Sequence, residues 1–305
     1  MSIPDFQTLM RPLLELHNDG KEHLNRDLVD ALAKLFSLTD DERREMLPSG
    51  RAKMFDNRVG WAKTYISNAG LIESPRRSVS IITAEGHRVL KDHSGAINLQ
   101  FLAKYPGIKS FREKKREAGV DTEQLISIEI GSPETPEEAL DNAYLKIRSD
   151  IEREIISKIL ANPPEFLERV IIDLVVKMGY GGNRKDAGEA IGRSGDEGID
   201  GIIKEDPLGL DIIYLQAKRY EGSVGRPDIQ KFAGALQGQR AKKGIFITTS
   251  TYSKEARDFA SKIDTKIILI DGPTLAKLMF DHGVGVSVNA TYEVKRIDTD
   301  YFEES

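Results

Sequence analysis

Ser194-Gly195-Asp196-Glu197-Gly198-Ile199-Asp200-Gly201-Ile202-Ile203, followed by Ile212-Ile213-Tyr214-Leu215-Gln216-Ala217-Lys218-Arg219, is the stretch around which this chain is organised. In the second segment Ile212, Tyr214, Gln216 and Lys218 fall on one face of a strand with a period of two. The first segment ends in a short apolar run, 199–203, that carries a single aspartate. Asp206-Pro207-Leu208-Gly209 supplies turn chemistry between them, so the pair reads as a β-hairpin. Hairpin strands lie roughly 5 Å apart. Asp200, Gln216 and Lys218 therefore converge on one small patch.

An acid, an amide and an ammonium so placed suit phosphodiester hydrolysis, which needs an activated water and neutralised phosphate charge. Magnesium serves both needs and takes a few oxygen ligands while keeping several waters. Asp200 offers a carboxylate, Gln216 an amide oxygen and Ala217 its backbone carbonyl. Lys218 can orient or deprotonate the water and offset phosphate charge. Glu168, on the polar side of a helix expected over 165–178, is a fourth candidate, able to reach over the sheet toward Asp200. Each residue also has a plainer reading, as a solvated lysine on an edge strand or a solvated glutamate on a helix.

Outward from this patch, the second half alternates helix and strand. A helix at 165–178 with Phe166, Val170, Ile171, Leu174 and Val175 inward is stopped by Gly179, and Pro227-Asp228-Ile229 opens another that runs to about 239. Apolar strands follow at 244–249 and 266–270, with helices at 254–262 and 274–282. That order predicts a mixed sheet covered on both faces. In the first half, Pro4 and Asp5 open a helix over 4–17, and a second is expected over 22–36 with Leu24, Leu28, Ala31, Leu32 and Leu35 inward. Thr39-Asp40-Asp41-Glu42 starts a short turn of helix, and 51–69 forms a third substantial helix ended by Gly70. A hairpin over 71–82 and a short helix over 83–90 complete the order of a winged helix-turn-helix. Residues 92–150 read as a connector with helical pieces, a helix starts near Pro136, and Pro163-Pro164 breaks it.

The 305 residues suffice for two domains. A net charge of −5 makes any nucleic-acid footprint local, and the absence of cysteine excludes disulfide scaffolds, thiolate zinc sites and cysteine nucleophiles. The five histidines have no metal-ligand spacing. The first residues lack the basic and apolar regions of a signal peptide, and no run approaches the ~20 apolar residues of a membrane span. A soluble cytoplasmic protein is expected.

Between Arg51 and Lys91 eight basic residues face three acidic ones, a local excess of five positive charges in an acidic chain. Arg51, Asn57, Arg58 and Lys63 fall near the start of the third helix, the part that meets base edges in helix-turn-helix docking. Arg76 and Arg77 occupy the wing tip, suited to phosphate contact. Trp61 reads as core.

Taken together, Gly195-Asp196-Glu197-Gly198-Ile199-Asp200-Gly201, Gln216-Ala217-Lys218-Arg219, Gly225-Arg226-Pro227 and Phe246-Ile247-Thr248-Thr249-Ser250 resemble the Mrr family of type IV restriction endonucleases, which carry a PD-(D/E)xK nuclease core. The helix over 54–70 with Trp61 resembles that family's winged-helix domain. The resemblance implies that Asp200 stands for the motif aspartate, Gln216 for the (D/E) residue, Lys218 for the lysine and Glu168 for the helix glutamate. Ile199 stands where proline would, and Gln216 where an acid would; the family itself carries the glutamine. Expected is a two-domain α/β protein: a winged-helix DNA-binding domain at 1–93, a connector at 94–157, a restriction-endonuclease-like nuclease at 158–290 with a mixed sheet flanked by helices, and a tail at 291–305. The implied activity is magnesium-dependent cleavage of duplex DNA bearing methylated adenine or cytosine. Cutting both strands implies a homodimer or higher assembly. The rival reading is a winged-helix DNA-binding regulator with an inactive nuclease-like domain.

Overall fold

The structure, a computed structural model, describes residues 3–108, 133–180, 199–204 and 212–295. It divides into two units, one through Leu145 and one spanning Lys146–Lys295.

The first unit opens with α1 (Phe6–Leu16). Asp5 caps it by accepting the N–H groups of Gln7 and Thr8, and its apolar stripe is fully buried. Instead of a single helix over 22–36, His23–Leu24 forms a short strand β1, and α2 (Asn25–Leu35) begins after it. The cause is non-local: β1 pairs antiparallel with β3 (Val79–Ile82), which also pairs with β2 (Ile72–Glu73). Leu24 and Leu35, expected inward, are exposed, whereas Leu28 and Leu32 are buried. The α3 helix (Asp40–Arg44) has the expected capping box, Thr39 with Glu42. The α4 helix spans Met54–Asn68, three residues shorter at its start than expected, so Arg51 precedes it. At its end Gly70 takes φ +74°, and Leu71 N–H reaches Ile66 C=O, a Schellman stop. Next come α5 (Ala84–Asp92), capped by Thr83, and α6 (Leu99–Leu102). Ile97, Leu99, Leu102 and Ile108 join the core of this unit, so it continues past the expected boundary at 93.

The helix α7 (Pro136–Ala161) runs as expected, and the division between the units falls within it. Thr135 and Glu138 cap its start reciprocally. In the second unit α8 (Pro164–Lys177) begins at the expected proline break. It ends at Gly179, with φ +96° and Tyr180 N–H on Val175 C=O.

The sheet of the second unit has the order β4 (Gly201–Lys204), β5 (Ile212–Lys218), β6 (Lys243–Thr248), β7 (Lys266–Ile270). The β4–β5 pair is antiparallel and the others parallel, giving the mixed sheet that was expected. The turn at 206–209 lies outside the described residues. Leu215, Ile203 and Ile247 pack beneath α8 and α11 (Gly272–Asp281), while Phe246 and Ile267 pack beneath α9 (Arg226–Gly238) and α10 (Lys254–Ala260). Both faces are covered. Among the described residues no helix is long and apolar enough to cross a membrane.

Candidate active site

The antiparallel register sets Gly201 opposite Leu215, so the next pair outward is Asp200 with Gln216. Asp200 is anchored twice: its N–H donates to Leu215 C=O at 2.9 Å, and its Oδ2 accepts the Ala217 N–H at 2.7 Å. A strand residue's N–H and C=O project to the same side, so the Ala217 carbonyl also faces the Asp200 side. Burial pushes the Asp200 carboxyl above its ordinary range, against the opposing pull of the Ala217 N–H. Glu168, half-buried on α8, is likewise raised, first by burial and then by the negative charge of Asp200. The Gln216 Oε1 is buried and has no hydrogen-bond partner among the described residues, a costly arrangement for a lone polar atom.

The Asp200 and Glu168 carboxyls, the Gln216 amide oxygen and the Ala217 carbonyl are candidate oxygen donors. Such a set fits a hard divalent cation. Among the described residues there is no group of three His, Cys, Asp or Glu side chains that could hold a metal ion.

Lys218 ends β5, on the Gln216 face, beside buried Thr248. Its Nζ pairs with Asp228 Oδ1 and lies 4.7 Å from the Tyr220 ring centroid. In the sequence Asp228 reads only as part of a helix start, because its partner, ten residues back, leaves no local signal.

The residues expected to meet DNA divide in two. Arg58 is committed elsewhere: its Nε pairs with Glu138 at 2.8 Å and its Nη1 donates to the Ile3 and Pro4 carbonyls, with only 15% of its side chain exposed. Asn57 accepts from Thr135 Oγ1 at 2.7 Å, and Trp61, packed at the core's edge, donates to Glu137. Arg58, Asn57 and Trp61 of α4 thus bind the start of α7, which corrects the expected place of Arg58 and Asn57 on a DNA-facing surface, while Trp61 was expected in the core. Lys63 is half-buried, donates to Asn25, and has its ammonium pushed down by burial. Arg51 and Arg77 are exposed, and Arg76 makes an exposed pair with Glu22 at 2.7 Å. Such a pair contributes little and leaves the guanidinium accessible to a phosphate.

Comparison with known proteins fits both units. Residues 159–279 match a family described as "Restriction endonuclease", and residues 6–92 match the "Mrr N-terminal domain". The chain is 34% identical over 308 residues to the Escherichia coli (strain K12) protein described as "Type IV methyl-directed restriction enzyme EcoKMrr", covering 99% of this chain and 100% of the relative. The chain belongs to the Mrr family of type IV restriction endonucleases. It is thus a deoxyribonuclease by family, of a class that depends on divalent metal. Among solved structures, the MspJI restriction endonuclease bound to a 27-mer oligonucleotide is similar at 21% identity, over 48% of this chain and 32% of that one, with a TM-score of 0.27. The Mrr N-terminal match coincides with the unit that carries the local basic excess.

Proposed function

We propose that this protein cuts duplex DNA carrying methylated adenine or cytosine, with Asp200, Gln216, Glu168 and the Ala217 carbonyl as oxygen ligands for Mg2+. The observation that carries this reading is the buried Gln216 Oε1, without a hydrogen-bond partner among the described residues, opposite a desolvated Asp200 that also raises Glu168. When bound, the cation supplies positive charge against both carboxylates and the scissile phosphate, and acidifies a water. Asp200 is fixed by its two main-chain hydrogen bonds, so its free carboxylate oxygen is already aimed. Lys218, on the same face, offers its ammonium to the attacking water and to the charge developing on phosphate.

The wing and the approach to α4 supply DNA contacts in this reading. Arg76 and Arg77 bind phosphate, and Arg51 and Lys63 border the duplex; Arg58 and Asn57 have structural roles. DNA reading lies within residues 1–93 and cleavage within 158–290, and cutting both strands calls for two copies of the chain. The relative's name, a methyl-directed enzyme, supports a modified substrate.

The test is cleavage of matched methylated and unmethylated plasmids, with Mg2+ or with EDTA, by wild type and Asp200→Ala. Cutting of the methylated plasmid alone, dependent on Mg2+ and lost in the variant, is the expected result. Cutting by Asp200→Ala at the wild-type rate overturns the site. Binding without cutting in every lane favours the regulator.

A further inference from the structure

We infer that Asp228 is a positioning residue for Lys218, holding its ammonium beside the cation site; this rests on the site assignment proposed above. A lysine at the end of a strand hangs on a flexible four-carbon stem, and its position is not fixed by the backbone that carries it. Here three things fix it. Its main chain is in register with Thr248 of β6, its Nζ stands over the Tyr220 ring, and Asp228 Oδ1 accepts one of its protons.

Asp228 is itself held. It sits in the first turn of α9, after Pro227, and its second oxygen accepts the Gly225 N–H at 3.3 Å. The turn is pinned from both sides. Val224 is fully buried, with its N–H on Thr251 C=O at 2.8 Å and its C=O accepting the Ser253 N–H at 3.0 Å. Ile229 and Phe232, later on the same helix, are also fully buried. One carboxylate oxygen therefore bonds its own helix while the other bonds the lysine.

An ammonium has three donors. Among the described residues Asp228 takes one, leaving two for a water and a phosphate oxygen. Lys218 and Asp228 are 31% and 30% exposed, so the free donors stay within reach of a substrate. The pair also explains how Lys218 keeps a defined position although Gln216, two residues back, carries no charge to attract it.

The experiment uses the full-length protein on methylated plasmid with Mg2+, measuring single-turnover cleavage, DNA affinity without divalent cation, and thermal unfolding. Lys218→Met abolishes cleavage; if it cuts like wild type, the underlying site assignment fails. Asp228→Asn keeps an oxygen for Gly225 but loses the charge that draws the ammonium. It lowers the cleavage rate roughly 10- to 100-fold, as for a misplaced catalytic group, with DNA affinity and unfolding unchanged, and Asp228→Glu restores part of the rate. If Lys218→Met is inactive while Asp228→Asn cuts at or above the wild-type rate, the positioning role is overturned. A rate loss that follows lowered thermal stability and is not restored by Glu assigns Asp228 to its helix turn alone, and also overturns it.

Discussion

Replacing Arg58 decides whether α4 uses this residue to hold the chain together or to read DNA. Its partner Glu138 is 4% exposed and Arg58 itself 15%. Removing one member of a buried ion pair costs about 3–5 kcal/mol, because the other charge is left without its partner. Glu138 keeps one donor, the Thr135 N–H at 2.8 Å, so the lower end applies. The Ile3 and Pro4 carbonyls also lose their donor, which adds about 1 kcal/mol if water replaces it poorly. Arg58→Ala should therefore destabilise the first unit by about 3–4 kcal/mol, or roughly 10 °C in melting temperature for a body of this size. Glu138→Gln retains the shape and an acceptor for Thr135 and should cost about 2 kcal/mol. The double variant should cost less than the sum of the two, since both remove the same pair. Urea unfolding followed by circular dichroism measures all three. Well below the transition, Arg58→Ala should retain wild-type DNA affinity. An Arg58→Ala protein as stable as wild type but weakened in DNA binding would refute the reasoning and return Arg58 to the interface.

Three other predictions concern single groups. Asp200 and Glu168 have folded carboxyls raised by burial, and Glu168 also by the charge of Asp200, so the stability linked to them is full below the ordinary carboxylate range and lost as pH rises through the raised folded values. Asp200→Asn should consequently be more stable than wild type in EDTA at pH 7 yet inactive, with the difference shrinking toward pH 4 in thermal melts; a destabilised variant at pH 7 would contradict the buried-charge reading. His17 is fully buried between Leu13 C=O and Ser80 Oγ, and burial lowers it from 6.5, so its contribution is present above pH 6.5 and lost as pH falls through the lowered value. His17→Gln should flatten that acid limb, visible as a smaller loss of melting temperature between pH 7 and pH 5. Gly272→Ala would set a Cβ 2.3 Å from the Thr249 carbonyl oxygen, and the backbone shift it forces should cost about 1–3 kcal/mol in urea unfolding.

What the sequence makes legible is what local chemistry decides. Asp5, Thr39 and Thr83 announce helix starts because a side-chain oxygen satisfies orphan N–H groups. Gly70 and Gly179 announce stops because the left-handed backbone there favours glycine. The alternation around Gln216 gives the strand and face, and with a turn behind it the Asp200–Gln216 pairing. Contacts between distant residues were not legible. Leu24 reads as part of a helix until Val79 is known to lie beside it. Arg58 looks like a DNA contact until Glu138, 80 residues away, comes into view. Ile97, Leu99 and Leu102 form no periodic run long enough to identify as core. Asp228 escaped because one residue performs two tasks, and the helix start accounts for it alone.

The strand β4 is only four residues long, and among the described residues it has a neighbour on one side only, β5. The carboxylate on which the proposed chemistry depends thus stands just before a short strand at the margin of the described sheet. Opening that margin requires far less than global unfolding, as befits segments with few supporting bonds. Amides of Ile202 and Ile203 should then exchange with solvent ahead of those of Phe246 and Ile247 in central β6.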